Sequence, residues 1–122
     1  MKDKLFILVC LASLSFVVLA GDQKSIEEDK NCHIPEKPGM PNGRAATEQE
    51  IIEVQKKVKA YIKKGEQYIQ CIAALEQTWG ENVTPKQKQG IVTLHNGMVD
   101  AMESVASAFN STVRAYKGKR PQ

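Results

Sequence analysis

Residues 47–79 read TEQEIIEVQKKVKAYIKKGEQYIQCIAALEQTW, and this stretch decides the fold. Its apolar residues are separated alternately by three and four positions, with Gly65 filling the one gap in the series. The series consists of Ile51, Val54, Val58, Tyr61, Gly65, Tyr68, Ile72, Leu75 and Trp79. This alternation predicts an α-helix with a single apolar seam.

The same spacing returns in residues 85–117, so the sequence predicts a second helix that packs against the first. Its apolar series consists of Ile91, Leu94, Met98, Met102, Val105, Phe109 and Tyr116. Thr47 with Glu50, and Thr84 with Gln87, match the capping-box pattern of helix starts. Pro85 suits a first helical position.

These signals together predict an all-α fold, an antiparallel two-helix hairpin that resembles a coiled coil. Helix 1 is predicted over residues 47–79, a turn over 80–84, helix 2 over 85–117 and a basic tail over 118–122. When the two seams are placed opposite each other about the turn, Gly65 faces Met98. A missing side chain then lies opposite a long, flexible one.

Residues 1–20 have the pattern of a cleaved secretory signal peptide. Lys2 and Lys4 precede an apolar run of about 15 residues, which is shorter than the roughly 20 that span a bilayer as a helix. Small and branched residues up to Ala20 predict cleavage after that residue. We therefore expect an exported, periplasmic protein that begins with a flexible, polar tail at residues 21–31.

The charge balance excludes one class of partner. Without residues 1–20, which carry two lysines and one aspartate, the formal net charge falls from +3 to +2. So small a positive charge on an exported chain argues against nucleic-acid binding.

Residues 32–46, called the N-terminal segment below, are predicted to form a proline-rich extended arm. Pro35, Pro38 and Pro41 recur every third residue, which is the period of a polyproline II helix. The alternative is a plain linker with a turn at Asn42-Gly43.

Cys32 and Cys71 are the only cysteines left after the signal peptide, and two cysteines in an exported domain predict one disulfide. The reach agrees with this pairing. Polyproline II from Cys32 to Thr47 covers about 46 Å, and helix from Thr47 to Cys71 covers about 36 Å. The segment can therefore double back along helix 1 and tie its first residue to that helix.

The sequence contains no catalytic, cofactor-binding or metal-binding motif, and we expect no enzymatic activity, no cofactor and no bound metal. His95, Met98 and Met102, with Met40, could in principle hold Cu(I). However, Met98 and Met102 belong to the apolar seam, so core packing is the preferred interpretation. A zinc site at Cys32, His33 and Cys71 has the wrong ligand spacing.

Two surfaces are candidate binding sites. Lys56, Lys57, Lys59, Lys63 and Lys64 crowd one stretch of helix 1 and could touch an anionic lipid or surface, although a solvated helix face is the simpler interpretation. Ile62, Ile69, Val92 and Val99 flank the seam and predict an interface with a protein partner or with a second copy in a homodimer.

The Cys-Pro pattern carries a resemblance. Cys32, Pro35, Pro38 and Pro41, then Thr47 with Glu50, then Tyr61, Tyr68 and Cys71, resemble small uncharacterised exported proteins of Gram-negative bacteria that have a Cys/Pro-rich arm followed by a helical hairpin. The resemblance covers residues 32–75 and implies a periplasmic location, but no activity or ligand. The sequence thus predicts an exported non-catalytic interaction or structural module of the cell envelope; the alternative is a binder of anionic envelope lipid.

Overall fold

The computed structural model describes residues 32–119, and this part of the chain contains two long helices and no β-strand. Helix α1 spans Glu48–Trp79 (32 residues), and helix α2 spans Pro85–Gly118 (34 residues). A single 3-10 turn at Gly80–Asn82 connects them. The predicted all-α hairpin is confirmed. The predicted signal peptide at residues 1–20 and the predicted tail at 21–31 lie outside the described residues.

Both predicted capping boxes are present. Thr47 Oγ1 accepts a hydrogen bond from the Glu50 amide at 3.2 Å, and Glu50 Oε2 accepts one from the Thr47 amide at 2.7 Å. Thr84 and Gln87 repeat this exchange at 3.1 and 2.9 Å, with Pro85 at the first helical position. Each exchange satisfies two backbone amides that the first turn of a helix would otherwise leave unpaired.

The core is the contact between the two apolar seams. From α1 it buries Val54, Val58, Tyr61, Gly65, Tyr68 and Ile72, and from α2 it buries Ile91, Met98, Val105, Thr112 and Tyr116. Thr112 is the one buried polar side chain among the described residues, and its Oγ1 donates to the Ala108 carbonyl at 3.0 Å. Thr112 completes the seam between Phe109 and Tyr116 with steps of three and four residues. The spacing therefore indicated a buried seam position at Thr112, although a polar side chain would not by itself be expected there.

Gly65 fixes the register of the two helices. A Cβ atom added to Gly65 would lie 2.5 Å from Met102 Sδ and 3.0 Å from Met98 Cε. The predicted pairing of Gly65 with Met98 is thus confirmed, and Met102 shares the contact. The glycine lets the two helices approach at the middle of the seam.

Replacement of Gly65 by leucine is therefore expected to destabilise the hairpin, because overpacking a seam costs about 1–3 kcal/mol. The better helix propensity of leucine returns about 1 kcal/mol of this loss. Thermal unfolding followed by circular dichroism measures the net change. Gly97→Ala is the control, since Gly97 is exposed in α2 and a Cβ atom added there would have nothing within 4 Å, and this change should stabilise the helix. A rise in melting temperature for Gly65→Leu would show that the register is wrong.

The N-terminal segment is attached to the helices at both of its ends. At the start, Cys32 and Cys71 form a disulfide with their Cα atoms 5.5 Å apart. Near the end, Gly43 is buried against the backbone of α2 at Thr112. Gly43 lies within a turn, in which the Ala45 amide donates to the Asn42 carbonyl at 3.0 Å. Since Cys71 is near the end of α1 and Thr47 caps its start, the segment runs antiparallel to α1.

The end of α2 also contacts this segment. Helix α2 continues through Gly118, and the Lys119 ammonium donates a hydrogen bond to the Ala46 carbonyl. The same ammonium lies 4.8 Å from the centroid of the Tyr116 ring, in a cation–π arrangement. The basic tail predicted over residues 118–122 is therefore helical at Gly118 and in contact with the fold at Lys119. Residues 120–122 lie outside the described part of the chain.

Candidate interaction faces

The N-terminal segment divides the hairpin into two sides. On α1, Lys57, Lys64 and Cys71 each precede a seam residue by one position, whereas Ile62 and Ile69 follow one by four. Measured around the helix from that seam residue, the first group is turned by about −100° and the two isoleucines by about +40°. The two groups therefore lie on opposite flanks of the seam. Because Cys71 holds Cys32, the segment covers the Lys57–Lys64 flank, and within residues 32–119 the Ile62–Ile69 flank is left uncovered.

The covered side is formed by proline rings and tyrosine side chains. Pro35, Pro38 and Pro41 are half-buried. A groove of about 330 Å³ lies between residues 39–41 and the first turns of α1, and another of about 370 Å³ lies beside Cys71, His33 and Pro35. The segment therefore follows α1 from Cys71 back to its first turns.

The covered side also carries an apolar hollow that the sequence did not indicate. Ile34 is 69% exposed and borders a cavity of about 160 Å³. Its other lining residues are Tyr68 from α1 and Thr93, Leu94, Gly97, Met98 and Ala101 from α2. The hollow arises because Ile34 of the segment lies beside residues of both helices, and no spacing in the sequence encodes that contact.

The uncovered side is called the open face, and it is formed by six apolar side chains. They are Ile62, Ile69, Val92, Val99, Met102 and Phe109. Val92 is 48% exposed, and the other five are half-buried. On α2, Thr93, Gly97 and Ala101 line the hollow beside Ile34, and Val92 and Val99 lie on the opposite side of that helix, so helical geometry places them on the same side of the hairpin as Ile62 and Ile69. Met102 and Phe109 lie beside them at the edge of the seam.

The five candidate lysines are all exposed, but they do not form one surface. Lys57 and Lys64 line a groove of about 400 Å³ together with Lys37 of the N-terminal segment. Glu36 lies in the same groove. Lys59 borders the open face, whereas Lys56 and Lys63, seven residues apart, lie on the outer surface of α1, away from the seam. The predicted stripe therefore consists of a pair beside the N-terminal segment and a trio on the outer surface.

The candidate copper ligands are separated. Met98 is 4% exposed within the seam, whereas His95 is exposed, with its Nδ1 3.2 Å from Asn96 Oδ1. Met40 lies beside the first turns of α1, in the groove lined by Val54 and Lys57 and far from His95. Among residues 32–119, no group of three or more His, Cys, Asp or Glu side chains is placed to hold a metal ion.

Burial of two tyrosines affects the alkaline limit of stability. Burial raises the pKa of both Tyr61 and Tyr68 above the ordinary value near 10. The folded state therefore holds these protons more tightly than the unfolded state, and this difference stabilises the fold. The stabilisation is complete below pH 10 and is lost as the pH rises through the raised pKa values.

We accordingly expect the melting temperature to fall above about pH 10, in step with tyrosinate absorbance. The comparison is with Tyr61→Phe/Tyr68→Phe, which retains the rings but cannot form phenolates. Lysines titrate in the same pH range in both proteins, so only the difference between the two slopes reports the buried tyrosines. Equal slopes would contradict the assignment.

No helix in residues 32–119 combines the length and the apolar character needed to cross a membrane. In comparisons of the whole chain with protein-family models, curated proteins and solved structures, none matches.

Proposed function

We propose that the protein is an exported, non-catalytic interaction module of the cell envelope whose open face binds another polypeptide. The observation that carries this proposal is the asymmetry of the hairpin. One flank of the seam is covered by the chain's own N-terminal segment, whereas the other presents six apolar side chains along both helices. A row of apolar side chains of this kind is typical of an interaction surface.

The disulfide supports export, because disulfides form and persist in oxidising compartments such as the bacterial periplasm. Export also agrees with the signal-peptide pattern of residues 1–20. In this proposal the N-terminal segment is a stiff, extended arm that packs its prolines on the hairpin. The half-burial of Pro35, Pro38 and Pro41, at every third residue, supports that conformation.

The covered flank and the open flank have different roles: the first stabilises the hairpin, and the second binds a partner. A two-helix core is small, and small cores rarely supply more than about 3–5 kcal/mol of stability. The arm and its disulfide stabilise the hairpin from one side. The open face is then available for a partner without having to maintain the fold alone.

Capture from the native envelope tests the proposal. The tagged protein is cross-linked in cells and purified, in parallel with Ile62→Glu/Ile69→Glu. The matched control is Ile34→Glu, which places a carboxylate on the covered side at an exposed isoleucine. Complexes that Ile34→Glu retains and the double variant loses support the proposal. Complexes that survive the double change, or no complex of either a second copy or another protein, would refute it.

A second candidate function is adhesion to an anionic lipid surface. It is favoured by the exposure of all five lysines and by the addition of Lys37 to the Lys57–Lys64 pair. Each lysine near a charged membrane contributes up to about 1 kcal/mol, and salt screens that attraction.

Co-sedimentation with phosphatidylglycerol-rich vesicles, at low and high salt, tests this second function. Lys57→Gln/Lys64→Gln should weaken vesicle binding. Lys86→Gln/Lys88→Gln removes the same charge from the exposed start of α2 and should leave binding close to that of the unmodified protein. Equal losses for the two variants would indicate attraction by net charge alone, and would count against a lysine site.

A further inference from the structure

We propose that the open face is occupied by a second copy of this chain, with α1 of one copy lying antiparallel on α2 of the other. This inference rests on the proposed function and names its partner.

The open face is large enough for a stable pair. Its residues on α2, with the half-buried Ala106 and Val113 that continue the row, extend from Val92 to Val113, a length of about 30 Å at ~1.5 Å per residue. Two packed helices present a width of about 20 Å. Two copies would therefore bury on the order of 1,200 Å² in total, within the range of specific interfaces.

The register places opposite charges at the same height on the two edges of this face. Gly65 lies against Met98 and Met102, so Lys63, two residues before Gly65, is level with residues 100–104 of the antiparallel α2. Glu103 falls in that range. Glu103 follows Val99 by one helical turn, which places it on the outer edge of α2.

The α1 edge carries a net positive charge at this height. Lys59 and Lys63 are one turn apart and exposed; Lys59 borders the face beyond Ile62, and Lys63 lies further around the helix on its outer surface. The exposed Glu66, one turn after Ile62, lies on the same border, so this edge carries two lysines and one glutamate, against the single Glu103 carboxylate on the other edge. A rotation of 180° about an axis parallel to the helices exchanges these edges without changing their height.

That rotation brings the Lys59–Lys63 edge of each copy onto the Glu103 edge of the other. The opposite charges therefore meet twice in a closed, two-fold pair, while the apolar rows meet between them. The result is a four-helix bundle in which neighbouring helices are antiparallel. The N-terminal segments lie on its outside, where their disulfides do not interfere with pairing.

Sedimentation equilibrium of the protein as secreted, with its disulfide intact, tests the pair. We expect a reversible dimer. Ile62→Glu/Ile69→Glu is expected to be monomeric. Because those side chains also contact the core, Val92→Glu is included as a second variant at a position that is 48% exposed. It should raise the dimer Kd by about tenfold or more while the helical circular dichroism is unchanged.

Charge reversal then tests the arrangement. Lys59→Glu/Lys63→Glu places carboxylates against Glu103 on both edges, and we expect it to raise the Kd at least about tenfold at low salt. Addition of Glu103→Lys should return the Kd to within about threefold of the unmodified protein. Lys57→Glu/Lys64→Glu makes the same change in net charge on the covered side, and it should leave the Kd nearly unchanged.

A monomer at all accessible concentrations would overturn this inference but not the proposed function, which would then depend on a different protein found by envelope capture. A dimer that tolerates Val92→Glu, or that shows no rescue by Glu103→Lys, would overturn the arrangement. Equal weakening by the two lysine pairs would show that the edges do not meet as described.

Discussion

Loss of the Cys32–Cys71 disulfide is expected to lower the free energy of unfolding by about 4 kcal/mol. The two cysteines are 39 residues apart in sequence, and closing a loop of that size removes about this much conformational entropy from the unfolded chain. For a domain of this size the melting temperature should fall by roughly 15–30 °C. The disulfide is thus comparable in size to the whole stability that a small core usually supplies.

Cys32→Ser/Cys71→Ser, compared with the oxidised and the reduced forms of the unmodified protein, provides the measurement. Thermal unfolding should show the same large loss in the double variant and on reduction. A double variant with the same melting temperature as the oxidised protein would contradict the expectation. Mass analysis under non-reducing conditions gives an independent check, because a chain with two free thiols, or a dimer linked through Cys32, is incompatible with the pairing.

The helices were predictable because their signals are local. The three-and-four spacing of the seam, the capping pairs at Thr47 and Thr84, and Pro85 each depend on residues within one or two turns. The disulfide was predictable because the reach of residues 32–47 could be compared with the length of helix from Thr47 to Cys71. The spacing also gave the register at Gly65, where two apolar series of equal period must face each other.

Contacts of the N-terminal segment were less predictable, because they are set by the tertiary structure. A turn at Asn42-Gly43 belonged to the plain-linker alternative, and a turn is present at residues 43–45. The reason for glycine at position 43, however, is close approach to α2 rather than backbone freedom, since Gly80 is the only described glycine with positive φ. Likewise, the Lys119 hydrogen bond to Ala46 joins residues that no short-range pattern connects.

The five lysines illustrate the same limit at the candidate site. The run of lysines predicted one charged stripe over the outer face and one flank of helix 1. Which of them meet the N-terminal segment was not predictable: Lys57 and Lys64 line a groove with Lys37, whereas the other three lie on the outer surface. The apolar residues that flank the seam were easier to predict from the sequence, because Ile62 and Ile69 repeat with the seven-residue period of the seam itself. Which flank stays open depends on where the N-terminal segment lies, and this is decided by Cys71.

Gly43→Ala is expected to destabilise the protein by about 2 kcal/mol, because the new Cβ has no room. It would overlap the Thr112 carbonyl oxygen and lie 2.8 Å from Ala115 Cβ and 3.1 Å from the Tyr116 amide nitrogen. Two of these neighbours are backbone atoms of α2, which cannot move aside as a methionine side chain can. Gly39→Ala is the matched control on the same segment, since a Cβ atom added at Gly39 would have nothing within 4 Å.

The two changes should differ in sign as well as in size. Gly39→Ala should be neutral or stabilise by up to about 1 kcal/mol, since alanine restricts the unfolded chain. Equal melting temperatures for the two variants would contradict the close packing of Gly43. Solvent exchange of the Ala45 and Ala46 amides, measured by NMR, would show whether the loss is accompanied by release of this end of the segment.

The cost of Gly43→Ala should also depend on the disulfide, because Cys32 and Gly43 attach opposite ends of one segment. With the disulfide intact, the segment cannot leave the hairpin, and the new methyl group must strain the contact with Thr112. In the Cys32→Ser/Cys71→Ser background the segment can move away from α2, so the same substitution should cost less. A double-mutant cycle measures this difference, and an additive result would mean that the segment remains in place without its disulfide.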